Sequence, residues 1–249
     1  MSHINPSLLV QKVEIKNDDF KLRTPFCCSI SGVSQCGKSE MLFNFVKFWE
    51  DVFTSKFHRI IYSEPHSLSE KNNDFFKRLQ NEFPQIERCF GLPNLVQLNL
   101  THNTLPCLLL IDDQMNEVLS SEEMLNLATK NVHHFNLTVC FTLQNYYQSS
   151  RFRQAFVKNC QYRFFFFNRI DQRELNLISS QIANSPKFFA SNFEFLYRKF
   201  PKAHSHYILI DGQFNSPIKD FWCWTSIFPE TKGGPIQPII FFKNPNYHK

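Results

Sequence analysis

Glycine is scarce in this chain, with six among 249 residues, so each one carries positional weight. There is no internal repeat and no low-complexity segment. No apolar run approaches the length of a bilayer crossing, which argues against a membrane partner. No signal-peptide pattern opens the sequence. None of the eight cysteines stands at C-x-x-C spacing from another, which argues against a zinc site. They occupy positions Cys27, Cys28, Cys36, Cys89, Cys107, Cys140, Cys160 and Cys223. Several lie in apolar, strand-like runs where a free thiol packs as a small hydrophobe. These absences point to a reducing intracellular compartment. Strong charge is missing as well. A net charge of +5 permits contact with nucleic acid without indicating it.

What is abundant is phenylalanine, 29 residues against 4 methionines and 3 tryptophans, and it is expected to fill core positions more often given to leucine or valine. A hydrophobic content of 43% supports a large core. The length is long for one domain and short for two. The expected organisation is a polar lead-in over 1–24, a main folded domain over 25–230 and a proline-rich tail over 231–249 with no clear period, read as a mobile arm.

Two of the six glycines fall in Gly32-Val33-Ser34-Gln35-Cys36-Gly37-Lys38-Ser39, which has the spacing G-x-x-x-x-G-K-S of a phosphate-binding P-loop. The glycines let the backbone curl so that successive N–H groups face phosphate oxygens. The lysine reaches the terminal phosphates, and the serine hydroxyl is a magnesium ligand. Cys36 lies among the same donors, which are expected to favour its thiolate. Phe26–Ser31, a short apolar run, suits a buried strand before the loop. Leu42, Phe45, Val46 and Trp49 have helical spacing after it, so Glu40 falls in the first turn of a helix that faces the anion.

Further apolar runs read as strands at Arg59–Tyr62, Pro106–Ile111, Leu137–Leu143 and Tyr162–Phe167, with a peripheral strand at Val13–Ile15 and a terminal hairpin formed by His206–Ile210 and Phe221–Trp224. Helices are expected over 69–83, 120–134, 151–158, 171–183 and 187–200, while 86–104 has no assignable type beyond a turn at Gly91. Alternation of this kind predicts an α/β fold, a mainly parallel sheet flanked by helices, with ligands bound at the carboxyl ends of the strands.

Asp112 and Asp113 follow the run Pro106–Ile111. Asp112 is the candidate magnesium-holding aspartate opposite Ser39. Asp113 is one methylene shorter than the glutamate many ATPases place here; a base is the expectation, with a more distant role left open. Gln144, at the end of the next strand, is placed to contact the γ-phosphate or the attacking water. Arg151, Arg153, Arg163 and Arg169 follow, and Arg151 and Arg153 are the first candidates for a cation supplied across a subunit boundary. Glu64 reads as structural and His133-His134 as surface.

The order of motifs GVSQCGKS, LLLIDD, FTLQN, RFFFFNRIDQREL and IDGQF…WTSIFPE resembles the viral genome-packaging ATPases of the FtsK/HerA superfamily. Those of Polinton/Maverick elements come nearest, and the poxvirus packaging ATPase is more distant. The resemblance runs from about Phe20 to Glu230. It implies a RecA-like core, ATP and Mg²⁺ as cofactors, a homo-oligomeric ring of five or six subunits, double-stranded DNA as the translocated partner and a capsid as its destination. It places the protein inside a host cell, in the nucleus or a cytoplasmic virus factory, or with the virion. Carried over residue by residue, it makes Lys38 and Ser39 the nucleotide and magnesium ligands, Asp112 the metal acid, Asp113 the catalytic acid and Gln144 the sensor. Val33 and Cys36 depart from the family, which often has a small residue or proline at the first position and a smaller residue at the second. DNA contact is expected from pore-facing loops, with Lys71-Asn72-Asn73 or the basic tail as candidates. The rival classes are a nucleotide or nucleoside kinase, and a P-loop assembly protein that binds nucleotide without turnover.

Overall fold

The computed structural model describes residues 8–12, 20–68, 73–102, 104–145, 152–166, 172–183, 192–194, 196, 198, 207–213 and 223–243. The apolar run at Cys27–Ser31 forms β2, every residue of it buried, and the chain leaves it through the glycine loop into α1, Lys38–Lys47. A short helix, α2 (Trp49–Val52), continues from it. The strands that follow are β3 (Arg59–Glu64), β4 (Glu87–Phe90), β5 (Cys107–Ile111), β6 (Leu137–Leu143) and β7 (Tyr162–Phe166). Between them lie α3 (Asn73–Glu82), α4 (Met115–Ser120), α5 (Glu122–Asn126), α6 (Val132–His134) and α7 (Arg153–Asn159), with α8 (Gln172–Ala183) after β7. A π-helical turn at Leu127–Asn131 joins α5 to α6, so the helix expected over 120–134 is nearly continuous, restarted at Ser121, whose hydroxyl caps Met124 N–H.

The sheet has ten strands in the order β1-β10-β9-β8-β7-β2-β6-β5-β3-β4. From β4 to β7 all pairings are parallel; from β7 outward to β1 all are antiparallel. The expected terminal hairpin is present as β8 (Tyr207–Asp211) against β9 (Cys223–Thr225), with Leu209 opposite Trp224. This is an α/β fold, its sheet parallel from β4 to β7 and antiparallel from β7 to β1, with helices on both faces.

Several expectations need correction. The proline-rich tail supplies a strand: β10 (Ile239–Lys243) pairs with β9 and with β1 (Leu8–Lys12). Its Ile239-Ile240-Phe241-Phe242 run is β-prone, and the surrounding prolines, which are compatible with strand ends, hide it. The peripheral strand read at Val13–Ile15 falls outside the described residues, as does most of the helix read over 187–200. The untyped stretch after residue 86 contains β4, a parallel edge strand with no fully buried residue, and so without the apolar run that marks the others.

Side chains alternate between the two faces of the sheet and form two cores. One is built on Ile61, Leu109, Val139, Phe141 and Phe165 and covered by α4 to α8. The other takes Ile30, Leu108, Leu110, Phe164 and Phe166 and is covered by α1 to α3. Phenylalanine dominates the second core, as composition suggested. Phe45 of α1 is fully buried, with ring centroids 5.3 Å from Phe53, 5.6 Å from Phe164 and 5.5 Å from Phe228. These contacts tie the helix that begins at the glycine loop to the parallel and antiparallel halves of the sheet. Phe45→Ala should therefore lower unfolding free energy by about 3–5 kcal/mol, the cost of a large aromatic cavity. Urea unfolding of the variant against wild type measures this, and a change under 1 kcal/mol would remove the anchoring role.

Candidate nucleotide site

The parallel strands bring their carboxyl ends to one edge. β2 ends at the glycine loop, β5 at Asp112-Asp113, and β6, which lies between them, at Gln144. The loop is fastened to that edge by Gly32 N–H donating to the Leu143 carbonyl at 3.0 Å. Its curl depends on two left-handed residues, Gln35 (φ 64°) and Gly37 (φ 109°), the second of which needs glycine. Gly32 is required for another reason: a Cβ there would come within 2.6 Å of Cys36 Sγ and 2.7 Å of Phe166 Cβ. Lys38 is buried, and its Nζ donates to the carbonyls of Gly32 (2.6 Å) and Val33 (2.9 Å), bracing the loop from within. Gly37 offers no side-chain cap to α1, so the first-turn N–H groups and the positive end of the helix face outward with Ser34, Gln35 and Ser39, all exposed. Glu40, expected to lie close to nucleotide, directs its carboxylate to Arg78 of α3, which donates to both oxygens at 3.0 and 3.1 Å while stacking over Phe43.

The two acids occupy opposite environments. Asp112 is buried, with Thr142 Oγ1 donating to Oδ1 at 2.7 Å and the Tyr62 hydroxyl to Oδ2 at 3.2 Å. Burial pushes its carboxyl above the usual range, and hydrogen bonds from Thr142, Ser39 and Tyr62 oppose that push. Burial is also the main reason the Tyr62 phenol is pushed far upward, with the nearby Asp112 and Glu64 charges adding, so it stays a donor. Asp113 turns out of the strand in the left-handed region (φ 51°), its N–H donating to Thr142 Oγ1 at 2.8 Å and its side chain exposed. There Gln144 Nε2 donates to Asp113 Oδ1 at 2.8 Å. The glycine loop, Asp112, Asp113 and Gln144 thus stand together at the carboxyl ends of the parallel strands.

The ligand chemistry fits magnesium. Ser39 and Asp112 supply one hydroxyl and one carboxylate, hard oxygen donors within hydrogen-bonding reach of each other. Mg²⁺ ordinarily takes few protein ligands and completes its shell with water and phosphate oxygens. Among the described residues no cluster of three or more His, Cys, Asp or Glu side chains could hold a metal without such help.

Three side chains that matter here escaped the sequence reading. Thr142 is one of two threonines in a largely apolar strand, and its place two before Gln144 is the signal that could have found it. Tyr62 looked like ordinary strand content. Gln114 is buried behind the acids, its Nε2 donating to Ser63 Oγ, whose hydroxyl donates to the Gly91 carbonyl, each at 2.7 Å. Glu64 is buried and ion-paired with Arg88, whose Nε lies 2.6 Å from it, in keeping with a structural role. Arg163 lies near the amino end of β7, away from the carboxyl ends of the strands, donating to the Cys160 and Lys158 carbonyls. Arg153 opens α7, while Arg151, Arg169, Lys71 and Asn72 fall outside the described residues. His133 and His134 are exposed on α6. No described helix is long and apolar enough to cross a membrane. The expectation for Cys36 is overturned in direction: burial pushes its thiol above the ordinary value of 9.0, outweighing the pull of the Lys38 charge and the loop N–H groups.

No protein-family model matches the chain, and no curated protein does. Among solved structures, the genome packaging NTPase B204 of Sulfolobus turreted icosahedral virus 2, in complex with ATP-gammaS, aligns with a TM-score of 0.40 and 16% identity. The alignment covers 75% of this chain and 92% of that one. Likeness at this level assigns neither activity nor partner.

Two measurements check the loop. Gly32→Ala should overpack it at a cost of about 1–3 kcal/mol. Fluorescent-nucleotide titration should then give an affinity about ten- to a hundredfold weaker; unchanged affinity refutes the close approach. Alkylation of Cys36, followed by peptide mass spectrometry, should be slow at pH 7 and accelerate through pH 9, because the reactive thiolate forms only above the raised value. A rate already at its plateau at pH 7 contradicts this.

Proposed function

We propose that the chain is an ATP-hydrolysing motor that drives double-stranded DNA into a preformed capsid and works as a homo-oligomeric ring. The observation that carries the hydrolytic part is the joining of a braced P-loop, a buried acid beside Ser39 and an exposed acid held by Gln144 at one sheet edge. The DNA and capsid parts rest on the resemblance of the motif series to packaging ATPases.

In this mechanism Lys38 and the first-turn N–H groups of α1 hold the phosphates, and Ser39 and Asp112 hold Mg²⁺. Magnesium held by Ser39 and Asp112 would supply positive charge that neutralises the phosphates. Asp113 accepts the proton of a water as the water oxygen attacks the γ-phosphorus and the bond to the β–γ bridging oxygen breaks, releasing ADP and phosphate, and Gln144 fixes the direction of that carboxylate. Exposure of Asp113 suits a group that must meet solvent-derived nucleophile, and burial of Asp112 suits one that must not move.

A further cation comes from the neighbouring subunit, from Arg151 or from Arg153 at the start of α7. Such a group accelerates phosphoryl transfer by roughly 10³–10⁵. DNA passes through the ring's pore, where its phosphates meet basic loops and the contact weakens as salt rises.

The first test is ATP turnover on size-fractionated protein with and without double-stranded DNA. Stimulation in the oligomeric fraction is expected; stimulation by a nucleoside instead identifies a kinase, and tight binding without turnover an assembly protein. Lys38→Ala should abolish turnover and weaken ATP binding. Asp113→Asn should bind Mg·ATP almost normally and turn over at least about a hundredfold more slowly, whereas Asp112→Asn should raise the magnesium requirement. Identical behaviour of the two variants defeats the division of roles. Arg151→Ala or Arg153→Ala mixed with Lys38→Ala should regain activity that neither parent has. Mixed oligomers that form and stay inactive would show the site to be complete within one chain.

A further inference from the structure

We propose that Thr142 is a positioning residue that sets both acids at once, holding Asp112 for the metal and fixing the turn that presents Asp113 to the nucleophile. The proposal rests on the hydrolytic reading above and deepens it.

Thr142 lies one residue beyond the paired positions Ile111 and Phe141 of β5 and β6, so its side chain stands beside Asp112 at the end of the ladder. It is 3% exposed in a strand whose seven residues are all buried. Its hydroxyl makes two hydrogen bonds of different polarity. The Asp113 N–H can only donate, so it takes an oxygen lone pair at 2.8 Å. The hydroxyl proton is thereby left for Asp112 Oδ1 at 2.7 Å. One atom thus orients the carboxylate of the first acid and the backbone of the second.

The second acid needs that support. Asp113 sits at φ 51°, a conformation that side-chain-bearing residues rarely adopt and that persists where surrounding contacts over-determine it. Without the N–H bond to Thr142 the turn loses its link to β6, and the Asp113 carboxylate loses its place beside Gln144. Tyr62 supplies a contrast. It reaches Asp112 Oδ2 from β3 at 3.2 Å, and the Asp113 N–H goes to Thr142 instead. Loss of the Tyr62 hydroxyl should affect the metal acid alone, and loss of the Thr142 hydroxyl both.

The test compares Thr142→Val, Thr142→Ser and Tyr62→Phe with wild type. Binding of ATP is measured in EDTA, binding of Mn²⁺ to the ATP-loaded protein by electron paramagnetic resonance, and turnover across a Mg²⁺ titration. Thr142→Val should bind metal-free ATP within about twofold of wild type and lose about ten- to a hundredfold in Mn²⁺ affinity, the usual consequence of deleting a group that orients a ligand. Its kcat at saturating Mg²⁺ should also fall at least about tenfold, and Thr142→Ser should recover both. Tyr62→Phe should weaken Mn²⁺ binding while keeping kcat at saturating Mg²⁺ near wild type. If Thr142→Val fails to fold, Thr142→Cys, whose thiol donates and accepts only weakly, should show the same double loss.

Wild-type Mn²⁺ affinity in Thr142→Val overturns the proposal, as does a serine variant as defective as valine, since that assigns the residue to packing. A kcat at saturating Mg²⁺ that does not change also overturns it, because it leaves Asp113 independent of Thr142. Absence of turnover in wild type defeats the hydrolytic reading instead, and the Mn²⁺ comparison still decides whether Thr142 positions Asp112.

Discussion

A buried carboxylate has to be matched by donors or it forces the structure around it to change. Asp112 is that constraint here. It stands at the end of five consecutive buried apolar residues, where water cannot solvate it. The compensating hydroxyls come from three separate elements: Thr142 from β6, Tyr62 from β3 and Ser39 from α1. Each of them requires a neighbour to be in register. β6 must lie between β2 and β5, β3 must flank β5 on the other side, and α1 must leave the glycine loop toward β5. The strand order of the parallel half is the arrangement in which one carboxylate can collect these partners. The Ser39 hydroxyl that opposes the burial penalty is a hard oxygen donor, so in the proposed mechanism the group that makes Asp112 tolerable is also its fellow magnesium ligand.

Phenylalanine makes that register rigid. On the face that carries α1, the rings of Phe26, Phe45, Phe53, Phe164 and Phe228 contact one another across the sheet and its covering helices. Aromatic pairs of this kind add about 0.5–1.5 kcal/mol each beyond the burial of their area. Their placement couples the loop helix to β7 and to the segment after β9. Phe166 does more, since its Cβ is one of the two atoms that leave no room for a side chain at Gly32. The composition of the core and the shape of the phosphate loop are therefore linked through a single residue.

The parts of the molecule that were legible beforehand share a physical signature. A glycine spacing that only one backbone curl requires, an apolar run ending in two acids, and a polar amide at the end of another apolar run are local patterns. They located Gly32 to Ser39, Asp112, Asp113 and Gln144, and the structure brings these residues together. What stayed hidden depends on partners far along the chain. Tyr62 is 50 residues from the acid it bonds, and Thr142 is 30. β10 carries no signal beyond a few β-prone residues among prolines, because its place is fixed by β1 and β9. The Cys36 thiol was misread in direction because proximity to donors is visible in a sequence and burial is not. Glu40 was grouped with the loop by adjacency, whereas its carboxylate is fixed by Arg78 on another helix.

Adjacent acids in one chain invite the question of how two identical side chains come to occupy opposite environments. Sequence position cannot separate them, because both follow the same strand. The separation comes from backbone direction. Asp112 still follows the strand, so its side chain lies on the face shared with Thr142 and α1 and is buried. One residue later the chain enters the left-handed region, and the next carboxylate is carried out to solvent and to Gln144. A glycine could adopt that turn more cheaply but would bring no carboxylate. An aspartate tolerates it better than most side chains, and here its N–H finds a fixed acceptor on β6. The chemistry at this edge thus follows from a single backbone rotation and from the hydroxyl that stabilises it.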